Sequence, residues 1–496
     1  MKTTFALFIS LIMFFQSSAA QIAEFDAYVQ KTMNDWEVPG LAVCVVKEGH
    51  VIFSKGYGVP RLGANGRVDS KTMFGIASTT KAMTAACVGM LVDEGKLKWD
   101  DRVSSILPEF LLNDPYTTRE LTVRDLLIHN SGVGNADFLW GSMSIPPDSV
   151  LYAMRMVKPS YSLRSSFIYQ NIFYLAAGKV IEKISGMPWS EFIRKRIFQP
   201  LGMTRSVPLL REAERFTNRS TPHFRIEEKV EAITDFPADQ IAPAGAVWSC
   251  VDDMASWLLC LLDSSKYGNE RLLKPETWKF LFTPQTIVPP GEFYPTQKLT
   301  QPRWMTYGLG WFQHDYKGRK LDFHTGSLTG TIAIAGLLHT ERTGVYILAN
   351  LDHAEARHAL MYKAFDVFAL GGNRDWSAEM KTLYDTLRVQ GKQKEKDFEA
   401  KRVLNTTSTL PLNAYEGSYT DPLYGTVVVT VAGQDLRAAL NNFVQATVKH
   451  WHYDVFRGTY DRREFGKLNV QFQLNAEGKV TSVEFDGVVF TRKQQG

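Results

Sequence analysis

The spacing of apolar positions changes several times along the chain, and each change marks an element. Residues 22–36 carry them at helical spacing and predict an amphipathic helix. LAVCVV and VIFSKGYGV follow, parted by Lys47-Glu48-Gly49-His50, and two β-rich runs across a short glycine-bearing turn predict a hairpin. From Ser78 to Glu94 the pattern is helical again and ends at Gly95. LTVRDLLIH, residues 121–129, predicts a further amphipathic helix that stops at Asn130-Ser131-Gly132. More helices are expected at about 148–157, 170–185 and 252–263. Between 305 and 350 the runs YGLGWFQHD, KLDFHTGS, TIAIAGLLH and GVYILAN predict strands. Strands at both ends with helices between them give an α+β fold: an antiparallel sheet flanked by helices, plus a helical region.

After Gly371 the character shifts. Residues 375–401 are charged and helical, and KQKEKDFEAK reads as a solvated helix face. NTTSTLPL, from Asn405 to Leu412, reads as a polar linker. From Tyr415 onward, short strands with turns at Ala432-Gly433-Gln434, Ala476-Glu477-Gly478 and Asp486-Gly487 predict a separate small β-barrel or sandwich.

Composition narrows the classes. The chain has 496 residues, 45% of them hydrophobic, enough for a large core and against disorder. The 56 Lys+Arg against 52 Asp+Glu leave +4, too even for a protein that binds nucleic acid through its phosphates. Four cysteines, none in a CxxC pair, exclude a zinc ribbon or a disulfide scaffold. Cys44 and Cys87 read as core residues, and Cys250 and Cys260 as a pair or as two buried thiols. MKTTFALFISLIMFFQSSAA reads as a signal peptide over 1–20, with a mature start near Gln21. Its apolar run is too short to span a bilayer, so a soluble, exported protein, periplasmic or secreted, is expected.

Three local features carry chemistry. In Phe74-Gly75-Ile76-Ala77-Ser78-Thr79-Thr80-Lys81, a helix would place Ser78 and Lys81 on one face, a turn apart. A hydroxyl is a poor nucleophile until a base stands beside it, and a partly desolvated lysine can be that base. The N–H of Ser78, at the helix start, is free to donate to an oxyanion. In Tyr169-Gln170-Asn171 a phenol near the lysine could shuttle a proton, and the Asn171 amide could fix a carbonyl or the lysine. His324-Thr325-Gly326-Ser327 lies in an expected edge strand whose small residues admit a substrate backbone, with the Ser327 N–H as a second oxyanion donor.

Together and in this order the three resemble the motifs of the serine β-lactamase and penicillin-binding superfamily. The branch resembled is the class C β-lactamase-like group, with its DD-carboxypeptidases, D-aminopeptidases and esterases. VRDLLIHNSGV at 123–133, PAGAVWSCVDDMASW at 243–257 and YGLGW at 307–311 look like that group's scaffold segments. Tyr415-Glu416-Gly417-Ser418-Tyr419 and Lys449-His450-Trp451-His452-Tyr453-Asp454 look like the lipocalin-like domain attached to some members. With the signal peptide at 1–20 and the helical and polar linker at 375–410 read from the residues, the resemblance implies a catalytic domain at 21–374 and a lipocalin-like barrel at 411–496. It implies Ser78 as the acylated nucleophile, Lys81 as its base, Tyr169 as the proton shuttle, and Asn171, His324, Thr325, Gly326 and Ser327 as substrate contacts. No metal or other cofactor is implied. Histidine at 324 departs from the lysine of typical class C β-lactamases. A mostly uncharged imidazole attracts a β-lactam carboxylate less, which counts against β-lactam hydrolysis.

The expected activity is hydrolysis of a peptide or amide, in particular one holding D-amino acids, by an exported serine hydrolase. A carboxylesterase, a class C-type β-lactamase and a catalytically silent binder of cell-wall peptides are the alternatives. Self-association through the C-terminal domain is expected. His450 and His452 share a strand face but lack a nearby third ligand, and so read as surface aromatic packing rather than a metal site.

Overall fold

The computed structural model describes residues 2–141 and 145–493, with side chains from residue 19 onward. The apolar run of the export signal expected over 1–20 therefore lies outside the described side chains. The chain divides into two compact units: Met1–Asn135 with Pro159–Tyr384, and Ala136–Lys158 with Asp385–Gly496.

The first unit is built on one antiparallel sheet of eight strands. They are β1 (Gly40–Lys47), β2 (His50–Gly58), β3 (Thr286–Ile287), β4 (Met305–Tyr307), β5 (Phe312–Tyr316), β6 (Arg319–Leu328), β7 (Thr331–Leu338) and β8 (Thr343–Ala349). Their order is β2-β1-β8-β7-β6-β5-β4-β3, so the N-terminal hairpin joins the sheet through β8. β1, β7 and β8 are buried at almost every position, because helices cover both faces; such strands read as continuous apolar runs rather than as alternation. Leu41, Val43 and Val45 share a core cluster with Phe25 of α1 (Lys2–Asp35) and with Leu360 and Met361 of a later helix, Ala356–Phe365. A helix over Val251–Leu262 packs against β1 and β8 as well.

The remaining helices match the sequence pattern in part. α2 (Thr80–Asp93) follows a 3-10 turn at Ala77–Thr79, and α3 (Asn171–Ser185) starts on Gln170, whose side chain caps Ile172 N. Naming Val251–Leu262 α4 and Ala356–Phe365 α5, the series ends with α6 (Trp376–Ala400). The helix expected over 121–129 does not form. Thr122 bridges to Arg102 in extended conformation, Asp125 turns its carboxylate back onto Thr122 N at 3.0 Å, and only Asp125–Leu127 closes a 3-10 turn. All four cysteines are buried free thiols. Cys250 and Cys260 cannot pair, since Cys250 caps α4 and Cys260 sits ten residues along it, about 15 Å away at helical rise.

The strand carrying His324-Thr325-Gly326, expected at an edge, is interior by topology. β5 pairs with β6 only from Arg319 to Phe323. From His324 to Leu328 β6 bonds β7 alone, so an open strand edge exists just where those residues lie.

In the second unit eight antiparallel strands between Gly417 and Arg492 close a barrel, each bonded to its neighbour in sequence and the last to the first. Its strands alternate inward and outward, as in Asp435–Leu440. Tyr415, Tyr419, Phe456, Phe472, Phe485 and Phe490 fill the interior. Two segments outside the barrel belong to this unit. Phe138 from the 136–158 segment packs on the barrel core and meets the Tyr424 ring edge-on at 5.0 Å. The second half of α6 lays a stripe on the barrel wall: Phe398 stacks with Trp451 at 6.4 Å, Arg457 pairs with Glu395, and Lys467 pairs with Glu399 at 2.6 Å. The charge run there is solvated except along that stripe. His450 and His452 are separated by a strand irregularity, and His452 Nδ1 accepts from Val403 N. Among the described residues no group of acidic, histidine or cysteine side chains has metal-site geometry, and no helix is long and apolar enough to cross a membrane.

Candidate active site

Ser78 sits on the 3-10 turn that opens α2. The chain enters that turn under restraint on both sides. Phe74-Gly75 pairs with Trp248-Ser249, and Ile76 N donates to Val247 O at 2.9 Å. Ala77 then takes φ 48°, the left-handed region that a residue with a β-carbon occupies only where its surroundings require it. Thr79 Oγ1 donates to Ile76 O at 2.6 Å and lies 2.5 Å from the Tyr346 hydroxyl of β8, which ties the turn to the sheet. Ser78 itself is half-buried.

Lys81, one turn on, has no exposed surface. Its Nζ lies 2.9 Å from Ser78 Oγ, 2.7 Å from Asn171 Oδ1 and 2.8 Å from Ala244 O. The Tyr169 ring centroid is 4.9 Å from the same nitrogen and that of Tyr174 is 5.3 Å away. Ser78, Lys81, Tyr169 and Asn171, nominated from two motifs ninety residues apart, therefore meet around one buried nitrogen. An ammonium has three N–H groups to give, and a neutral amine two with one lone pair. Lys81 Nζ donates to Asn171 Oδ1, Ala244 O and Ser78 Oγ.

β6 lies directly against the Ser78 turn. A β-carbon on Gly326 would stand 2.1 Å from Ile76 O, so only glycine permits this approach. Gly310, at φ 83°, presses on the backbone of Lys81 and Ala82 from the YGLGW segment in the same manner. Replacing Gly326 with alanine forces β6 away from Ser78. We expect G326A to slow covalent labelling about a hundredfold, the scale of roughly 1 Å of misplacement. Overpacking adds a melting-temperature loss of a few degrees, about 1–3 kcal/mol. Timed intact-mass spectra and thermal melts measure the two.

The other β6 residues differ in how they face the site. His324 is 1% exposed and both nitrogens are engaged: Nδ1 donates to Thr325 O at 2.6 Å, and Nε2 accepts from the Tyr307 hydroxyl at 2.9 Å. Burial, with the Lys81 charge behind it, pushes the imidazole down to about 3, so His324 is neutral. Thr325 Oγ1 meets the Tyr294 hydroxyl at 2.6 Å. Ser327 is exposed, and its Oγ accepts from Arg357 Nη1 at 2.9 Å. Arg357 also donates to Gly326 O at 2.6 Å and pairs with Glu355 at 2.9 Å. Burial works against the Glu355 charge, but Arg357 and His358 outweigh it and hold the carboxyl well below its usual range.

Because the histidine at 324 ionises far more readily in the unfolded chain, near 6.5, than in its buried site, folding loses stability as pH drops. The same holds for His314, pushed down to about 4 by burial. The contribution is complete above about pH 6.5 and shrinks toward the buried values. Melting temperature should thus be flat near neutrality and fall from about pH 6 downward; a melting temperature that rises on acidification would contradict it.

Sequence reasoning did not pick out Ala244 as a lysine partner, because a carbonyl oxygen has no side-chain signature, although PAGAVW was singled out as scaffold. It also passed over Arg357, whose only mark is a charge within the apolar-flanked run HAEARHALM.

The sequence signature described as Beta-lactamase matches residues 25–367, and one described as Domain of unknown function (DUF3471) matches residues 401–495. An unguisins hydrolase of Aspergillus campestris is 27% identical over 428 residues, which cover 81% of this chain and 76% of the fungal one. Its counterpart in Aspergillus violaceofuscus is 26% identical over 444 residues, covering 83% and 77%. The solved octameric penicillin-binding protein homologue from Pyrococcus abyssi superposes with a TM-score of 0.64 at 22% identity, over 95% of this chain and 100% of that one.

Proposed function

The chain belongs to the β-lactamase and penicillin-binding-protein superfamily of serine hydrolases, and from that premise we propose that it hydrolyses peptide or amide bonds through an acyl-enzyme on Ser78. One observation carries the reading: a fully buried lysine nitrogen 2.9 Å from Ser78 Oγ, held also against Asn171 Oδ1 and Ala244 O.

In the first half-reaction Ser78 Oγ attacks the substrate carbonyl carbon as its proton passes to Lys81 Nζ. The carbonyl π bond opens onto oxygen, and the N–H groups of Ser78 and Ser327 hold the oxyanion. Tyr169 passes the proton from Lys81 to the leaving nitrogen, the C–N bond breaks, and the amine departs. In the second half water attacks the ester carbon and yields its proton through the same relay. The C–Oγ bond breaks, and Ser78 takes the proton back. Asn171 orients Lys81 through Oδ1 and offers its N–H to the substrate carbonyl. Thr325, Gly326 and Ser327 line the open strand edge, and His324 holds that edge from behind through Thr325 O and Tyr307.

A neutral His324 adds no fixed positive charge to the edge, which favours the peptidase reading over the β-lactamase one. Two relatives of more than a quarter identity are hydrolases by name, which supports hydrolysis over silent binding. The export expected from residues 1–20 and self-association through residues 411–496 are part of the same proposal; fractionation and light scattering test them. The substrate test is a panel of D-aminoacyl p-nitroanilides, p-nitrophenyl esters and nitrocefin. Turnover of the anilides with the highest kcat/KM is expected. Esters alone would make it an esterase, nitrocefin alone a β-lactamase, and covalent labelling with no turnover a binder.

A further inference from the structure

Tyr169 is held from one direction by a residue outside all three motifs. His129, just before the Asn130-Ser131-Gly132 turn and at the end of the stretch where a helix was expected, is 1% exposed and has φ 58°. Its main-chain oxygen accepts from Ile168 N at 2.9 Å, and its ring Nδ1 accepts from Gln170 N at 3.1 Å. These are the two residues that flank Tyr169, so one residue takes the amide protons on both sides of the phenol. The imidazole also lies against the Tyr169 ring, with centroids 4.3 Å apart and planes at 35°.

A ring that only filled space would need no nitrogen at the δ position. Here the Gln170 amide points at Nδ1, which fixes the neutral tautomer with its proton on Nε2. Nε2 has no hydrogen-bond partner among the described residues; it sits among the rings of Tyr169, Tyr174, Tyr307 and Phe167. Burial first, then Lys81 and His324, the charged or chargeable groups that bear on it, disfavour a second proton. A protonated His129 would turn an N–H toward the Gln170 N–H and open the clamp.

We propose that His129 is the positioning residue for Tyr169, its carbonyl and Nδ1 together clamping residues 168–170 so that the phenol stays registered over Lys81. This rests on the reading of Tyr169 as the proton relay.

The test compares His129→Asn with His129→Gln. Asparagine places its amide oxygen where Nδ1 stands and tolerates a positive φ; glutamine carries the same group one methylene too far out. Measured below both melting temperatures on a p-nitrophenyl ester, kcat of the Asn variant should stay within about threefold of the parent. The Gln variant should lose about 10- to 100-fold in kcat with KM within about twofold. In a Tyr169→Phe background the Asn-to-Gln exchange should change kcat by less than about twofold, because the group being positioned is gone. Equal kcat in the Asn and Gln variants, or a Gln loss that persists in the Tyr169→Phe background, overturns the clamp. Tyr169→Phe retaining full kcat overturns the relay instead. Tyr169→Phe slow with His129→Gln unchanged overturns the clamp alone.

Discussion

Ser78→Ala should stay folded and lose every trace of covalent labelling. The substitution removes one half-buried oxygen and nothing else, and Lys81 keeps Asn171 Oδ1 and Ala244 O as partners. Loss of one hydrogen bond changes stability by about 1 kcal/mol, a shift of a few degrees at most. Turnover should fall to the level set by binding and oxyanion contacts alone, because no other nucleophile could form the acyl bond. Intact mass after incubation with a fluorophosphonate reads the result: one adduct per chain in the parent and none in the variant. An adduct at full yield on the alanine variant would place the nucleophile elsewhere and end the acyl-enzyme assignment.

The second large effect is expected at Lys81. Lys81→Ala deletes the base and also removes the lysine hydrogen bonds to Asn171 Oδ1 and Ala244 O, at about 1 kcal/mol each. Stability and rate should therefore both fall. Lys81→Met leaves the same two acceptors without the lysine N–H groups but fills the space, so the cavity is removed from the comparison while the base is still absent. A kcat loss of at least about a hundredfold is expected for it, the scale of a positioned proton-transfer group. Tyr169→Phe should cost a similar factor, and the double variant should lose little more than the worse single one, because both serve one relay. Losses that multiply would mean that the two residues act on separate steps.

How much of this could be read from the residue order depends on what each feature leaves in it. The runs TIAIAGLLH and GVYILAN became β7 and β8 because strands covered on both faces must be apolar throughout. Ser78 and Lys81 declare their proximity through helical spacing. Asn171 does not, since it reaches Lys81 across ninety positions; its amide chemistry makes it a candidate, and the family motif gives it its place beside the lysine. LTVRDLLIH misled because its apolar spacing suits a helix, whereas Asp125 folds back onto Thr122 and the left-handed turn at His129 ends any helix. A positive φ at a non-glycine residue leaves no mark in composition. Nor does Phe138, an ordinary aromatic in a loop, announce that it packs on Tyr424, nearly three hundred residues downstream.

That last packing bears on how such a protein can be taken apart or passed between lineages. The family signatures place the second region at 401–495, as though it were a module appended after the first. The chain instead crosses between the two units at three places, near residues 135, 158 and 384. A single excision or graft at the C-terminal end would orphan the partner of Tyr424. A recombination event, natural or in the laboratory, that carries the barrel to another scaffold has to bring 136–158 with it or rebuild that face. The two regions are thus bound to change together, and substitutions at Phe138 and Tyr424 should be found paired.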